Sequence, residues 1–323
     1  MEPDTETSAP RQTLTVGVLM GGASREREVS LKSGEAVARA LESRGHKVRA
    51  CDVRPGDVTA DLVDGMDAAF LALHGKWGED GGIQSELEAV GACYTGSGPE
   101  ASRLAMDKVA AKERFFQAGV PTPAFRVARR GQDAMLRKVI DLLGPDLVVK
   151  PVADGSSIGV AMCDSAESLK RAADAIWQDE EVVLIERRIR GRELTVGIVG
   201  RTALPVIEIR VPGGWYDFKS KYLSDRTQYI FDHGLPPDVE KDVVELALAA
   251  HDSLGCRDLS RVDLMLPEDG RPLVLEVNTI PGFTDHSLVP KAAARAGMTF
   301  GRLCERIVEL ALERTRRGRD RDA

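Results

Sequence analysis

Residues 260–290 constrain the chain more than any other stretch. They open Ser-Arg-Val-Asp-Leu-Met-Leu, turn through Pro-Glu-Asp-Gly-Arg-Pro, and continue Leu-Val-Leu-Glu-Val-Asn-Thr-Ile-Pro-Gly. Two short apolar runs flanking a Pro/Asp/Gly turn form the pattern of an antiparallel hairpin. Side chains of a strand alternate between faces. Arg261 and Asp263 therefore share one face of the first strand, and Glu276 and Asn278 share one face of the second. A register that joins these faces brings together three oxygen donors and a guanidinium. Oxygen donors without Cys or His suit Mg²⁺, which with few protein ligands leaves room for substrate phosphates. The competing reading is a hairpin with a polar outer face, and an acidic i,i+2 pair alone does not decide between them. The next segment favours the metal. Asn278-Thr-Ile-Pro-Gly is too polar and turn-rich to continue a buried strand, so a loop begins where the candidate ligands end.

The N-terminal part reads differently. After a polar, acidic start expected to be disordered, Leu14–Met20 is a buried strand, Gly21-Gly22-Ala23-Ser24 a glycine-bearing turn, and Val29, Leu31, Val37 and Leu41 fall at helical spacing. Strand, glycine loop and helix open a Rossmann-like unit, but the G-x-G-x-x-G fingerprint is absent, which disfavours a dinucleotide. Glu26 and Glu28 near the helix start have a bland reading as complements to its dipole. Lys47–Val53 and Asp67–Leu73 read as further parallel strands. The second ends in His74-Gly-Lys-Trp-Gly-Glu-Asp-Gly-Gly, and ligands of open α/β sheets bind at such carboxyl ends. Helices are expected near Ile83–Val90 and Ala101–Ala118, with Lys108 and Lys112 on one face, either solvated or phosphate-binding.

From Phe125 the strands become short and run as an α+β layer. They are expected at Phe125–Val127, Leu147–Lys150, Val182–Arg188, Arg192–Val199 and Leu204–Arg210, with helices near Asp133–Leu143 and Ser165–Trp177. Lys150-Pro-Val-Ala-Asp-Gly-Ser-Ser-Ile-Gly is a small-residue loop whose backbone could approach a phosphate, or a plain hairpin turn. Residues 213–237 read as a long loop carrying Lys219, Lys221 and Tyr222, groups able to reach an anion. Helices follow at Asp238–Leu254, Leu288–Ala296 and Phe300–Glu313, and the charge-dense tail from Arg314 is expected to be solvated.

A net charge of −7 with dispersed Lys and Arg argues against a nucleic-acid partner. The odd count of 5 scattered cysteines fits reduced thiols, and the acidic start is no signal peptide, so a cytoplasmic protein without membrane insertion is expected.

Several motifs occur in order: Gly-Gly-Ala-Ser-Arg-Glu-Arg-Glu-Val-Ser-Leu, His-Gly-Lys-Trp-Gly-Glu-Asp-Gly, Met-Asp-Lys, Lys-Pro-Val-Ala-Asp-Gly-Ser-Ser-Ile-Gly, Gly-Arg-Glu-Leu-Thr-Val, Lys-Tyr-Leu-Ser-Asp, Arg-Val-Asp and Glu-Val-Asn-Thr-Ile-Pro-Gly. With them the chain, from about Leu14 to Leu312, resembles the D-alanine–D-alanine ligases of the ATP-grasp superfamily. The resemblance implies a mixed α/β and α+β chain with an ATP-grasp fold. Its units would be a preATP-grasp, Rossmann-like domain over 14–121, a central subdomain over 122–201, and a C-terminal subdomain over 202–316 with the hairpin and a mobile loop. It implies ATP as substrate with two Mg²⁺ (or Mn²⁺) held by Asp263, Glu276 and Asn278. Lys108, Lys150 and Lys221 would meet ATP, Glu186 and Ile189 its adenine, and Glu193 its ribose. Glu26 would bind the first D-alanine with His74 nearby, oriented by Ser156 and Tyr222. Arg261 and the Gly282 N–H would stabilise an oxyanion, and Ser287 and Leu288 would receive the second D-alanine. The product would feed peptidoglycan synthesis, and the protein would be a homodimer. Tyr222 favours D-alanine as second substrate. A loop histidine favours D-lactate in related depsipeptide ligases, but His233 lies too far along to match it. D-lactate, D-serine and an inactive nucleotide-binding homologue are the alternatives.

Overall fold

The computed structural model describes residues 12–153, 159–211 and 227–322, with side chains as far as 317. Three sheets organise it. The first is parallel, in the order β2-β1-β3, with β1 Thr15–Gly21 between β2 Lys47–Val53 and β3 Ala68–Leu71. Central β1 is buried on both faces, as the continuous apolar run requires. Helix α1, Arg27–Ser43, lays Val37, Ala38 and Leu41 on it. Between strand and helix, Gly21 has φ +96°, and a Cβ there would sit 2.1 Å from the Asp52 carboxylate and 2.6 Å from the Arg27 guanidinium. Only glycine lets that ion pair close over the turn. The short α2 (Ala60–Val63) and α3 (Gly82–Ala89) complete this part.

The expected helix Ala101–Ala118 is two helices, α4 Pro99–Met106 and α5 Lys108–Gln117. Asp107 breaks it. Its backbone is extended, and its carboxylate accepts hydrogen bonds from the N–H groups of Val109 and Ala110, capping α5. The Met-Asp-Lys motif is thus a helix start that sets Lys108 on the first turn.

The second sheet is antiparallel, in the order β4-β7-β5-β6: β4 Phe125–Arg129, β5 Leu147–Pro151, β6 Ala161–Cys163 and β7 Val182–Arg187. Helices α6 (Asp133–Leu143) and α7 (Ala166–Ile176) pack a core of Leu136, Val139, Leu169 and Ala173 against Val149, Val183 and Ile185.

The third sheet runs β11-β10-β8-β12-β13 with β9 beside β8. Its strands are β8 Arg192–Val199, β9 Thr202–Ala203, β10 Ile207–Arg210, β11 Gln228–Ile230, β12 Leu259–Leu266 and β13 Leu273–Asn278. Helix α8, Pro237–Ser253, covers it through Val243, Ala247 and Ala250, and α9 (Leu288–Arg295) and α10 (Phe300–Asp322) follow. β8 pairs along its length with β12, which joins it to this sheet. The stretch expected to be one strand over Leu204–Arg210 is strand only from Ile207, and the 213–237 loop contains β11. The tail is not simply solvated: α10 runs on through it, and Arg314 pairs with Asp258 and donates to the Tyr94 carbonyl at 2.6 Å. No described helix is long and apolar enough to cross a membrane.

The loop after β13 is anchored by Phe283, 1% exposed, whose ring lies 5.6 Å from those of Phe70 and Phe300. Phe283→Ala is expected to lower stability by about 3–5 kcal/mol, measured by denaturant unfolding.

Candidate active site

The hairpin has the register that the sequence required. Arg261 lies opposite Asn278 and Asp263 opposite Glu276, with a bulge immediately after Asp263. On its other side Asp263 faces Thr195 of β8. The Asp263 carboxylate accepts a fork from Arg261, Nε to Oδ1 at 2.9 Å and Nη2 to Oδ2 at 2.7 Å. It also accepts Asn278 Nδ2 at 3.1 Å and the Thr195 hydroxyl at 2.6 Å. Four charge-assisted bonds fix this buried group. Thr195 stood inside the Gly-Arg-Glu-Leu-Thr-Val motif but was not singled out; its period-2 partnership with Glu193 was the available signal. Glu276 meets Lys108 Nζ at 3.9 Å. One cavity is lined by Lys108, Glu276, Asn278 and Thr279 together with Glu79 from the segment after β3. The hairpin therefore faces the N-terminal unit across a cleft.

No group of three or more His, Cys, Asp or Glu among the described residues could hold a metal. The hairpin instead offers two carboxylates and an amide. That hard, incomplete donor set fits a Mg²⁺-like ion that keeps water or phosphate oxygens as its remaining ligands.

Across the cleft, Glu186 on β7 is enclosed between two ammonium groups. Lys150 Nζ lies 2.5 Å from one carboxylate oxygen and Lys112 Nζ 2.5 Å from the other. Burial alone would raise the Glu186 carboxyl, but Lys150 and Lys112 outweigh it and hold it below its ordinary value. Burial would lower the Lys150 ammonium, and Glu186 outweighs that and raises it. For Lys112 burial wins over Glu186 and the ammonium is lowered. Lys112 is thus no solvated basic face: it is 1% exposed, and only Lys108 of the pair reaches the cavity. Ile189 sits half-buried in the connection between β7 and β8, and Glu193 is the second residue of β8, opposite Met265.

The N-terminal unit contributes a second cluster. His74 is buried just beyond β3, with Nδ1 3.2 Å from the Ile280 carbonyl and Nε2 3.3 Å from the Ser33 hydroxyl. A carbonyl only accepts, so Nδ1 carries the hydrogen and Nε2 accepts from Ser33. Glu79 lies 3.6 Å from the same ring. The Ser24 hydroxyl donates to the His74 carbonyl at 2.7 Å and accepts the Glu26 N–H at 3.1 Å. This brings the Glu26 carboxylate over Gly75, where a Cβ would come within 2.8 Å of it and where φ is +71°. Glu26 occupies the N-cap of α1, and its side chain makes no cap hydrogen bond. Ser33, which the sequence did not point to, also accepts the Phe283 N–H at 3.4 Å and ties the two clusters together.

Gly282 faces Ser287, 3.5 Å from a Cβ built on the glycine to the serine hydroxyl. Ser287 is the N-cap residue of α9, yet its hydroxyl accepts from the Thr284 N–H at 3.0 Å and not from its own helix. The first-turn N–H groups at Leu288 and Val289 are thus left by their own cap. Leu288 itself is buried in the core. Ser156, Tyr222, Lys219 and Lys221 lie outside the described residues, as do residues 1–11.

Known proteins share this arrangement. Residues 115–309 match the family model described as the D-ala D-ala ligase C-terminus. The chain is 46% identical over 300 residues to the D-alanine–D-alanine ligase of Bordetella petrii, covering 92% of this chain and 91% of that protein. The crystal structure of the D-alanine–D-alanine ligase of Bacillus anthracis complexed with ATP matches with a TM-score of 0.83 at 32% identity, over 95% of this chain and 100% of that one. The VanG D-Ala:D-Ser ligase of Enterococcus faecalis matches with a TM-score of 0.83 at 26% identity, over 93% and 100%. A hairpin bearing acidic and amide side chains in an antiparallel sheet, facing an N-terminal parallel sheet across a cleft, together with this extent of likeness, makes the chain a member of the D-alanine–D-alanine ligase family of ATP-grasp fold.

Proposed function

We propose that the chain joins two D-alanines into D-alanyl-D-alanine with conversion of ATP to ADP and phosphate. The pairing of Arg261 and Asp263 with Asn278 and Glu276, the latter two lining one cavity with Lys108 and Glu79, carries this reading. Lys108 and Lys150 bind nucleotide phosphates, Glu186 and Ile189 lie at the adenine, and Glu193 at the ribose. Asp263, Glu276 and Asn278 hold Mg²⁺ or Mn²⁺, which supplies positive charge against the crowded phosphate and carboxylate oxygens. Glu26 binds the ammonium of the first D-alanine beside His74, with Ser156 and Tyr222 orienting it. A carboxylate oxygen of the first D-alanine bonds to the γ-phosphorus as ADP leaves, giving an acyl phosphate. The neutral amine of the second D-alanine, its carboxylate on Ser287 and the Leu288 N–H, bonds to the acyl carbon. Arg261 and the Gly282 N–H stabilise the oxyanion, and phosphate leaves as the amine loses its proton. The same reading takes the protein as a cytoplasmic homodimer supplying peptidoglycan precursors, with a division into 14–121, 122–201 and 202–316.

D-alanine is the second substrate in preference to D-lactate. The His233 ring accepts the Leu235 N–H at 3.3 Å and lies against the start of α8, with its side chain 6% exposed. It is not presented as a base or acid to the cleft. Phosphate release from ATP, followed with D-alanine paired against D-alanine, D-serine and D-lactate, tests this. D-alanyl-D-alanine should dominate the products; a preferred depsipeptide or D-serine product would overturn it.

A further inference from the structure

Glu186 has one negative charge and two ammonium partners, and the two are not equivalent. The Lys112 side chain is 1% exposed, and its Nζ also donates to the Thr122 hydroxyl at 2.5 Å and lies 5.7 Å from the centre of the Phe125 ring. Thr122 in turn donates to the Val274 carbonyl of β13 at 2.8 Å. Lys112 is thus tied at once to α5, the segment leading into β4, the central sheet and the catalytic hairpin, and has nowhere to move. The Lys150 side chain is 11% exposed and stands near the end of β5.

We propose that Lys112 is a positioning residue for nucleotide binding: it keeps Glu186 paired, so that Lys150 can leave that carboxylate for a nucleotide phosphate without stranding a buried anion. A buried carboxylate deprived of its partner is strongly disfavoured. If Glu186 had Lys150 alone, every phosphate contact by Lys150 would carry that penalty. With Lys112 in place the carboxylate is never orphaned, and the exchange of Lys150 between carboxylate and phosphate is close to balanced. The sequence spacing of Lys108 and Lys112 conceals two different tasks, one ammonium facing the cavity and one permanently buried. This inference rests on the proposed nucleotide site and adds the device that makes Lys150 available to it.

The test is a double-mutant cycle on ADP affinity, measured by calorimetry with Mg²⁺, alongside KM for ATP and kcat. Lys112→Met should weaken ADP about tenfold or more and raise KM for ATP likewise, with kcat and KM for D-alanine within about threefold of wild type. In a Glu186→Gln background the carboxylate that pairs directly with Lys150 is gone, with Glu276 and Glu193 still acting on it in both members of the comparison, and adding Lys112→Met should change ADP affinity by less than about threefold. Lys112→Arg, which keeps the charge, should retain ADP affinity within the same about threefold range. Far-UV circular dichroism establishes folding of each variant, and if Lys112→Met does not fold the arginine variant decides alone. An equal loss in both backgrounds, a fall in kcat with KM for ATP unchanged, or a tenfold loss in folded Lys112→Arg would overturn the proposal. Wild-type protein that does not bind ADP would overturn the nucleotide site itself, a result distinct from any of these.

Discussion

Glu276→Ala is expected to reduce kcat about a thousandfold, equivalent to about 4 kcal/mol of transition-state stabilisation. Glu276 meets Lys108 at 3.9 Å and its side chain is 29% exposed. A pair so long and partly solvated contributes about 1 kcal/mol or less to folding. The variant should therefore fold, and the loss should fall on the step that transfers the γ-phosphoryl group. Asp263 is the less clean target. It is the hub of bonds from Arg261, Asn278 and Thr195, and its removal would take away all of these as well as a ligand. Steady-state kinetics across a range of Mg²⁺ concentrations, with a thermal melt of the same sample, checks the expectation. Activity of Glu276→Ala within tenfold of wild type at saturating Mg²⁺ would contradict it.

Arg261→Met carries the second large effect and acts on two quantities. The guanidinium forks onto Asp263, whose side chain is 10% exposed. Without it that carboxylate keeps only Asn278 and Thr195, and the fold should lose about 3 kcal/mol. Independently, the loss of an oxyanion donor should lower kcat about a hundred- to a thousandfold. Arg261→Lys separates the two. A lysine restores a positive charge near Asp263 but not the planar fork, so it should recover part of the stability while kcat stays depressed at least about tenfold. KM for ATP should change little in either variant, because the proposed nucleotide site is built from Lys108, Lys150 and Glu186. Thermal unfolding and kcat measured on both variants would resolve the two contributions.

Much of this was legible in the sequence, for reasons that can be traced to particular residues. The hairpin could be read because the Pro267–Pro272 turn admits few alternatives and because alternation along β12 and β13 fixes which side chains share a face. Glu26, His74 and Gly282 came from motifs in order, not from any local rule, and the Ser24–His74 contact that places Glu26 spans 50 residues of chain. That β8 joins the third sheet and not the second was not legible locally, because strand pattern alone does not say which strand pairs with which. Only pairing with β12, some 60 residues later, assigns β8 to its sheet. Lys112 was misread because helical spacing reports that two lysines share a face but not what covers it. The partner, Glu186, is distant in sequence, and its burial between two ammonium groups is a tertiary fact. The break at Asp107 could have been found, since an aspartate followed by a helical run is a standard N-cap signal. Apolar continuity through Ala105 and Met106 outweighed it in a reading by periodicity.

The account's central claim is that the paired strands β12 and β13 hold divalent cations against a nucleotide. Electron paramagnetic resonance titration of Mn²⁺ in the presence of ADP measures this directly, without turnover. Wild-type protein with ADP should bind Mn²⁺ at least about tenfold more tightly than Glu276→Ala with ADP, and the difference should shrink when ADP is omitted. Equal Mn²⁺ affinity in the two proteins, with ADP bound to both, would contradict it.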